Sequence, residues 1–226
     1  DQGNMPEERT SRQAYDLLAE GFGPGFSGPL LVAIDTSNVT DQELRSLAVA
    51  LQNDAGVAFV QPPERSQVGE AATILVFPTT APQDPQTVDL LERIRGPIFS
   101  STLSNDSKAH VGGATASFAD VSDRVQSRLP IFITGVIALS FILLMLVFRS
   151  ILVPIKAALL NLLSIGSAYG VLVMVFQWGW GRSLIGVEEA VPIVSFIPMF
   201  MFAVLFGLSM DYEVFLLSHS FFFDYP

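Results

Sequence analysis

The chain has 226 residues, of which 50% are hydrophobic and only 15% are charged, whereas a soluble domain carries about 25% charged residues. Residues 1–127 hold 8 Lys or Arg against 17 Asp or Glu, and residues 128–226 hold 4 against 5. This contrast excludes a wholly soluble globular protein and a disordered chain. The net charge of −10 argues against nucleic acid as a partner, because it would repel phosphates.

The acidic part begins with a helix pattern. Residues 11–21 predict a helix with Ala14, Leu17 and Leu18 on one side. Short apolar runs and further helix patterns follow it in alternation. They predict strands at 30–34, 57–60, 73–77 and 109–111, and helices at 40–53, 85–94 and 116–128.

After the first helix, the order of elements is β-α-β-β-α-β, followed by a helix that leads into the membrane part. This is the split βαβ, or ferredoxin-like, arrangement. With right-handed crossovers it gives a four-stranded sheet with both helices on one face. The sequence therefore predicts an α+β domain over residues 1–127. Thr40 and Glu43 have the spacing of a capping box at the start of its second helix.

Glycines and phenylalanines of the acidic part are weak indicators of a site. The glycines at 21, 23 and 25 follow a helix and not a strand, so a phosphate cradle is not predicted. Gly112 and Gly113 favour a turn over an oxyanion hole. Six phenylalanines can line either a cargo pocket or the core, and the core is favoured for most of them: Phe22, Phe26, Phe59, Phe77, Phe99 and Phe118.

Residues 128–220 contain three apolar runs that predict transmembrane helices. The first, 129–148, is 20 residues without a charge, or about 30 Å as a helix, which matches the hydrocarbon layer. The other two predicted spans cover about 153–177 and 191–218, and residues 221–226 are expected to be a short cytoplasmic tail. The second part is therefore predicted to be an all-α bundle in a membrane.

The short loops predict the orientation of these spans. Residues 149–156 carry two cations and no acid, which marks this loop as cytoplasmic. Trp178 and Trp180 lie at the edge of the next loop, as is typical of the membrane interface on the other side. The acidic part is then external, and the protein is expected to be a multi-pass membrane protein.

Small and polar residues predict which helix faces meet protein and not lipid. The second span has such a face at Ala157, Asn161, Ser164 and Ala168. Small residues let helix backbones approach closely, so this face is expected to pack within a bundle.

Asp211 is the most informative residue of the third span. It lies about 15 residues, roughly 23 Å, into the helix counted from Phe196, in the inner half of the membrane. A carboxylate at that depth costs about 2.5–3.5 kcal/mol, so its presence needs a reason. Such a group can load and release a proton, and Tyr212 can donate or relay a hydrogen bond. The alternative is a carboxyl that only bonds to a neighbouring helix.

The residues around Asp211 complete the candidate site. Glu213 is about 200° round the helix from Asp211, so the two carboxylates cannot share one site. Glu213 is interpreted as interfacial or as a neighbour of the relay. Gly207 precedes Asp211 by four residues, and it joins Asn161 and Ser164 as a candidate supporting residue.

Three segments resemble the MMPL transporters of the RND superfamily. Residues 206–218, Phe-Gly-Leu-Ser-Met-Asp-Tyr-Glu-Val-Phe-Leu-Leu-Ser, are similar to the fourth-span signature of one repeat. Residues 12–26, with Arg-Gln-Ala-Tyr-Asp and Phe-Gly-Pro-Gly-Phe, and residues 148–156, Phe-Arg-Ser-Ile-Leu-Val-Pro-Ile-Lys, agree with this resemblance. It extends from about Pro6 to Ser218, and the Met-Asp-Tyr-Glu form is more similar to the second repeat than to the first.

The resemblance implies a transporter built from two repeats, each with an external porter domain. Proton-motive force drives export of lipids or other hydrophobic cargo in this family, commonly in actinobacteria, and Asp-Tyr pairs of both repeats meet in the bundle. Asp211 and Tyr212 match such a pair. The implied partners are membrane lipids, the cargo and the other repeat. After Ser218 the family's basic stretch is missing, so the sequence is expected to be a fragment that does not transport alone.

Two other functional classes were weighed against a transporter. One is a membrane-anchored binding or assembly module whose external domain docks a partner protein, although a mere anchor has no use for an intramembrane acid. The other is an intramembrane enzyme, for which no Gly-x-Ser-x-Gly, His-Glu-x-x-His or second intramembrane Asp is present. With no Cys and two His, neither a metal nor another cofactor is predicted, and protons are the expected coupling ion.

Overall fold

The computed structural model describes residues 3, 5–67, 70–104, 106–180 and 196–223, without the side chains of Asp211 and of residues 213–223. The chain forms two compact units, Asp1–Val121 and Ser122–Pro226. Each unit is described by itself below.

The first unit alternates helices and strands, as the sequence predicts. Its helices are α1 (Thr10–Phe22), α2 (Asp41–Gln52), α3 (Pro85–Arg93), a π-helical turn (Ile94–Ile98) and α4 (Phe99–Thr102). Its strands are β1 (Leu30–Asp35), β2 (Val57–Val60), β3 (Glu64–Arg65), β4 (Ala71–Pro78) and β5 (Ala109–Gly112). Helix α5 (Ala114–Phe148) begins directly after β5 and continues into the second unit.

The strands form one antiparallel sheet in the order β2-β4-β1-β5, with the short β3 paired to β4. Strand β1 is central, since it pairs with β4 on one side and with β5 on the other. Leu31 lies opposite Leu75 of β4 and Gly112 of β5. The predicted mixed architecture of an α+β domain followed by a helical segment is confirmed.

One face of the sheet carries the core of the first unit. Alternate residues of β1 and β4 are buried there, because successive side chains of a strand point to opposite faces. The inner faces of α2 and α3 pack against them, and burial of each large apolar side chain contributes about 1.5–3 kcal/mol. The buried residues include Leu30, Val32, Ile34, Ile74, Val76, Leu44, Leu47, Leu51, Leu90 and Leu91.

Side-chain caps fix the starts of α2 and α3. The predicted capping box is confirmed: Thr40 Oγ1 accepts from the Glu43 N–H at 3.2 Å, and Glu43 Oε2 accepts from the Thr40 N–H at 2.8 Å. Asp84 caps α3 by accepting from the Gln86 N–H at 2.9 Å, and Pro85 occupies the first helical position. Each cap satisfies backbone donors that the helix itself leaves free.

An ion pair ties α3 to the loop between α2 and β2. Arg93 donates to both carboxylate oxygens of Asp54, at 2.7 and 2.8 Å, and the Gly56 N–H donates to the same carboxylate at 2.8 Å. These contacts, Arg93 foremost, hold the pKa of Asp54 below its ordinary value. Asp54 therefore stabilises the fold as an anion.

The predicted helix over residues 11–21 is confirmed as α1, but its apolar side is not the buried one. Ala14, Leu17 and Leu18 are exposed, and Tyr15 is the buried residue of this helix. Apolar spacing identified the helix, but it gave no information on which side meets the rest of the domain. The sequence also gave no signal for the two-residue strand β3 or for the π-helical turn.

Close backbone packing explains the glycines of the loop between α1 and β1. A Cβ on Gly25 would lie 1.9 Å from the carbonyl oxygen of Pro78, and a Cβ on Gly28 would lie 2.3 Å from Pro82 Cγ. Gly23 has φ +96°, in the region that favours glycine. These glycines let the loop lie against the end of β4.

The second unit contains the part of α5 after Val121 together with α6 (Leu152–Phe176) and α7 (Ile197–Phe223). Within the described residues, α5 and α6 are long and apolar enough to cross a membrane, and Ile197–Met210 is a shorter apolar stretch. Ile165, Phe202 and Phe206 form a buried cluster, which residues of α5 complete. The Phe132 and Phe202 rings meet edge to face, with centroids 5.9 Å apart.

Substitution of Gly25 should destabilise the first unit. We expect Gly25→Ala to cost about 1–3 kcal/mol, because its methyl group would overlap the carbonyl of Pro78. Gly21→Ala is the matched control: it adds the same methyl group where no atom lies within 4 Å, and it should be neutral or slightly stabilising. Pulse proteolysis after heating measures the difference, and equal stability of the two variants would contradict the packing argument.

Acid should weaken the first unit through Asp54. Because the pKa of Asp54 is lower in the folded than in the unfolded chain, its stabilisation is complete above about pH 5. It is lost as the pH falls through the folded-state value. Asp54→Asn should lower the free energy of opening at neutral pH and flatten its fall between about pH 5 and pH 3.

Hydrogen exchange of peptides from β1 and β4, corrected for intrinsic rates, measures that free energy. Asp41→Asn is the control, since the Asp41 pair with Arg65 is exposed and is expected to contribute little. Parallel pH curves for the wild type and Asp54→Asn would contradict the assignment to Asp54.

Candidate functional site

The candidate relay residues lie inside a continuous helix. Asp211 is 14 residues after Ile197, the first residue of α7, which places its Cα about 21 Å along the helix axis. The helix continues to Phe223, so the aspartate does not cap a helix end. The side chains of Asp211 and Glu213 lie outside what the structure describes. Tyr212 is largely exposed.

Helix α7 has a buried face and an exposed face. Phe202 and Phe206 are buried, whereas Ala203 and Gly207 are exposed. Asp211 follows Ala203 and Gly207 at spacings of four residues, and its Cα is about 180° round the helix from Phe202. The aspartate therefore belongs to the small-residue side of α7, away from the cluster that Phe202 forms.

The small-residue side is uncovered within the part of the chain that the structure describes. A Cβ built on Gly207 would meet no atom within 4 Å, and the same holds for Gly166 and Gly170 of α6. The contact between α6 and α7 is made by larger residues instead, with Ile165 packed on Phe202. The glycines thus leave room for a close approach that these three helices do not make.

The predicted supporting residues differ in burial. Asn161 is only 4% exposed and lies on the buried face of α6 with Ala157 and Ile165. Ser164, one turn further along the same helix, and Gly207 of α7 are exposed. Their shared role around Asp211 stays a prediction.

The buried amide of Asn161 is unsatisfied within the described residues, where Nδ2 has no acceptor. An amide buried without a partner costs about 1–3 kcal/mol, so most such groups are paired by protein or water. Polar side chains within membrane bundles face protein or water-filled space. Asn161 is the described polar residue of the second unit that most clearly calls for a partner.

The first unit presents a row of four phenylalanine rings on the open side of the sheet. The Phe22 and Phe26 rings stack at 4.6 Å, Phe26 and Phe77 at 5.3 Å, and Phe59 lies 6.0 Å from Phe77. Phe22 is 67% exposed and Phe59 is 53% exposed. The row is therefore an exposed apolar surface, and its rings would lose contact with water if another molecule covered them.

The preference for the core as the place of most phenylalanines is wrong. Phe22, Phe59 and Phe118 are exposed, Phe26 and Phe77 are partly exposed, and Phe99 packs beside the core. Strand β4 carries apolar residues on both faces, so its sequence does not show which residues are buried and which are exposed. Its buried residues Ile74 and Val76 place Phe77 on the opposite face, and this alternation was the signal that could have identified the row.

The described part of the chain has no group of three or more His, Cys, Asp or Glu side chains arranged to hold a metal ion. His110 lies on strand β5 with its side chain exposed. Asp211 remains the candidate that the sequence indicates.

The sequence pattern of the MMPL family matches residues 6–220. The membrane protein YdfJ of Bacillus subtilis (strain 168) is 38% identical over 221 residues, which cover 96% of this chain and 30% of YdfJ. The heme uptake protein MmpL11 of Mycobacterium tuberculosis (strain ATCC 25618 / H37Rv) is 34% identical over 213 residues, which cover 92% of this chain and 22% of that protein.

A third relative is named for lipid export. The mycolic acid-containing lipids exporter MmpL11 of Mycolicibacterium smegmatis (strain ATCC 700084 / mc(2)155) is 31% identical over 214 residues, which cover 92% of this chain and 22% of that protein. The chain thus spans between about a fifth and a third of the length of these curated relatives.

Proposed function

This chain belongs to the MMPL family, and we propose that it is one part of a proton-driven membrane transporter that exports lipids or other hydrophobic molecules. The observation that carries the proposal is Asp211, an acid in the interior of the apolar helix α7. An ionisable residue at membrane depth is costly and is retained where it has a task, such as proton relay.

In the proposed mechanism, Asp211 changes its charge during each transport cycle. It takes up a proton when the external side supplies one, and it releases the proton when the cytoplasmic side accepts it. The neutral and ionised forms differ in their interactions with neighbouring helices, so protonation shifts the population of the transporter's conformations. Tyr212 relays or donates a hydrogen bond, and protons are the coupling ion without any further cofactor.

The partner of Asp211 is proposed to be a helix of the other repeat of the transporter. Two observations support this: Gly207 leaves the same side of α7 uncovered within the described residues, and the chain covers only 22–30% of the relatives' lengths. Small residues at spacings of four permit close approach of another helix. Ser164, Asn161 and Glu213 are proposed to support the relay from surfaces that such a helix would complete.

The first unit is proposed to be an external porter domain of the ferredoxin-like type. Its antiparallel order β2-β4-β1-β5 supports this assignment. A split βαβ unit has four main strands, and its first lies between its third and fourth. Here, without the short β3, these three strands are β1, β4 and β5. We further propose that α5 and α6 cross a bacterial plasma membrane as parts of a multi-pass protein. Membrane lipids are then partners of the helices.

The cargo class is proposed from chemistry and from the names of the relatives. One is named for heme uptake and another for export of mycolic acid-containing lipids, and both names denote large, mainly apolar molecules. The exposed phenylalanine row of the first unit supports a task with apolar partners. Export of hydrophobic molecules fits both the row and the intramembrane acid.

The same phenylalanine row favours a second candidate, a membrane-anchored module whose external domain docks a partner protein. Exposed aromatic side chains are enriched at protein interfaces. This candidate assigns no task to Asp211, so the two functions differ in what substitution of that residue does.

Cysteine labelling tests the proposed orientation in a chain that has no native Cys. A membrane-impermeant thiol reagent should label Asp89→Cys, at an exposed position of α3, in intact cells. It should label Ser150→Cys, between α5 and α6, only after permeabilisation. Labelling of Ser150→Cys in intact cells would overturn the orientation.

Substitution of Asp211 tests the relay. In the full-length protein, Asp211→Asn keeps the size and removes titration, so it should abolish transport at a normal amount in the membrane. Asp211→Glu keeps titration and should retain partial activity. Tyr212→Phe should reduce transport less than Asp211→Asn, because water can replace a hydroxyl, and Glu213→Gln should reduce it least. Movement of NBD-labelled palmitate in proteoliposomes with a pH gradient is the measurement.

The same preparation gives a control for binding. Asp211→Asn proteoliposomes should still bind the labelled fatty acid but should lose its pH-driven movement. Wild-type movement by Asp211→Asn would mean that the carboxyl is a structural hydrogen-bonding group and would favour the docking module.

A further inference from the structure

The first two turns of helix α5 are held to the first unit by several contacts. Gly113, with φ +99°, turns the chain from β5 into the helix. Thr115 Oγ1 donates to the carbonyl of Gly28 at 3.1 Å, and Ala116 is fully buried in the core of the first unit. These contacts lie on the same helix that continues to Phe148, so the start of α5 belongs to the external domain and its end to the membrane part.

Arg95 contacts helix α5 at Asp120, close to the point where the helix leaves the first unit. Its guanidinium donates through Nη1 and Nη2 to the two carboxylate oxygens of Asp120, the Nη2 contact being 2.9 Å. Nη2 also donates to the carbonyl of Val111 in β5 at 2.9 Å. One side chain thus joins the strand before the Gly113 turn to the helix after it, and it fixes the angle between them.

The π-helical turn presents Arg95 in a fixed place. The turn spans Ile94–Ile98 and contains Pro97, and π-turns are rare and frequently occur at functional sites. Ile94, the neighbour of Arg95, is fully buried in the core. The backbone that carries Arg95 is therefore anchored, and its planar fork is presented to Asp120 in the geometry that suits a carboxylate.

Because this pair is exposed, it can affect the direction of α5 without adding much to the free energy of unfolding of the domain. The side chains of Arg95 and Asp120 are 35% and 55% exposed. Exposed ion pairs contribute little to the free energy of unfolding, because water and salt screen them. A bidentate fork still restricts geometry, so this pair can direct α5 while adding little to the stability of the domain.

We propose that Arg95 is a positioning residue for transport, which acts through Asp120 to hold the outer turns of α5 against strand β5, so that movement of α5 moves the sheet. The inference rests on the proposed transport function and adds the place where the external domain engages a membrane helix. Arg95 does not touch cargo or protons in this role. Its loss should therefore reduce the rate of transport and leave cargo affinity unchanged.

The test uses the full-length protein in proteoliposomes with a pH gradient and NBD-labelled palmitate as cargo. Arg95→Gln and Asp120→Asn should each reduce the maximal rate about two- to fivefold, as suits an exposed ion pair, with an unchanged concentration for half-maximal rate and an unchanged melting temperature. Arg95→Lys, which keeps the charge but loses the fork, should be intermediate.

Arg65→Gln is the matched control. The Arg65 pair with Asp41 is also an exposed Arg–Asp contact of the first unit, with an Nη2–Oδ1 distance of 2.6 Å, but it involves α2 and not α5. Its loss should leave the rate at the wild-type level. A wild-type rate for Arg95→Gln overturns the proposal, and so does an equal loss in Arg65→Gln.

A further outcome also overturns it: a fall in melting temperature that parallels the fall in rate, which would make the pair merely structural. Asp211→Asn in the same assay keeps the two proposals apart: if it transports normally while Arg95→Gln does not, the proton relay is wrong and the positioning role stands.

Discussion

The start of α5 is the constraint on which the rest of the molecule depends. Strand β5 and helix α5 are separated by one glycine, Gly113, so the edge of the sheet and a long apolar helix are a single continuous stretch of backbone. The buried methyl group of Ala116, the bond from Thr115 to the loop before β1 and the fork of Arg95 all hold the first turns of that helix to the first unit. Helix α5 thus begins among the core contacts of the acidic unit and continues as an apolar helix.

The elements of the first unit could be predicted because their signals are local. The capping box of Thr40 and Glu43 identifies the start of α2, and short apolar runs identify β1 and β4, although not which face of each strand meets the core. The features that could not be predicted depend on tertiary contacts. Arg93 finds Asp54 at a separation of 39 residues, and the inner side of α1 is set by Tyr15 against the rest of the domain.

The candidate site divides in the same way. The position of Asp211 was predictable, since a charge within an apolar run is visible in the sequence itself. Its surroundings were not, because helical spacing groups Ala203, Gly207 and Asp211 on one side without naming the helix they meet. In the structure the larger residues Ile165, Phe202 and Phe206 make the helix contacts, and the small residues remain uncovered within the described part of the chain.

The uncovered surfaces of α6 and α7 arise because large residues make the helix contacts and small residues do not. Packing by large side chains suffices to hold α6 and α7 together, so the glycines are not needed for that contact. On the sheet, the core face takes the aliphatic residues, while Phe59 and Phe77 on the opposite face, with Phe22 at the end of α1 beside them, stay in contact with water. An acid within an apolar helix and an exposed aromatic row both cost free energy in isolation. Both costs fall when another protein segment or an apolar molecule covers these surfaces, which is the physical reason for proposing them as the working surfaces of a transporter.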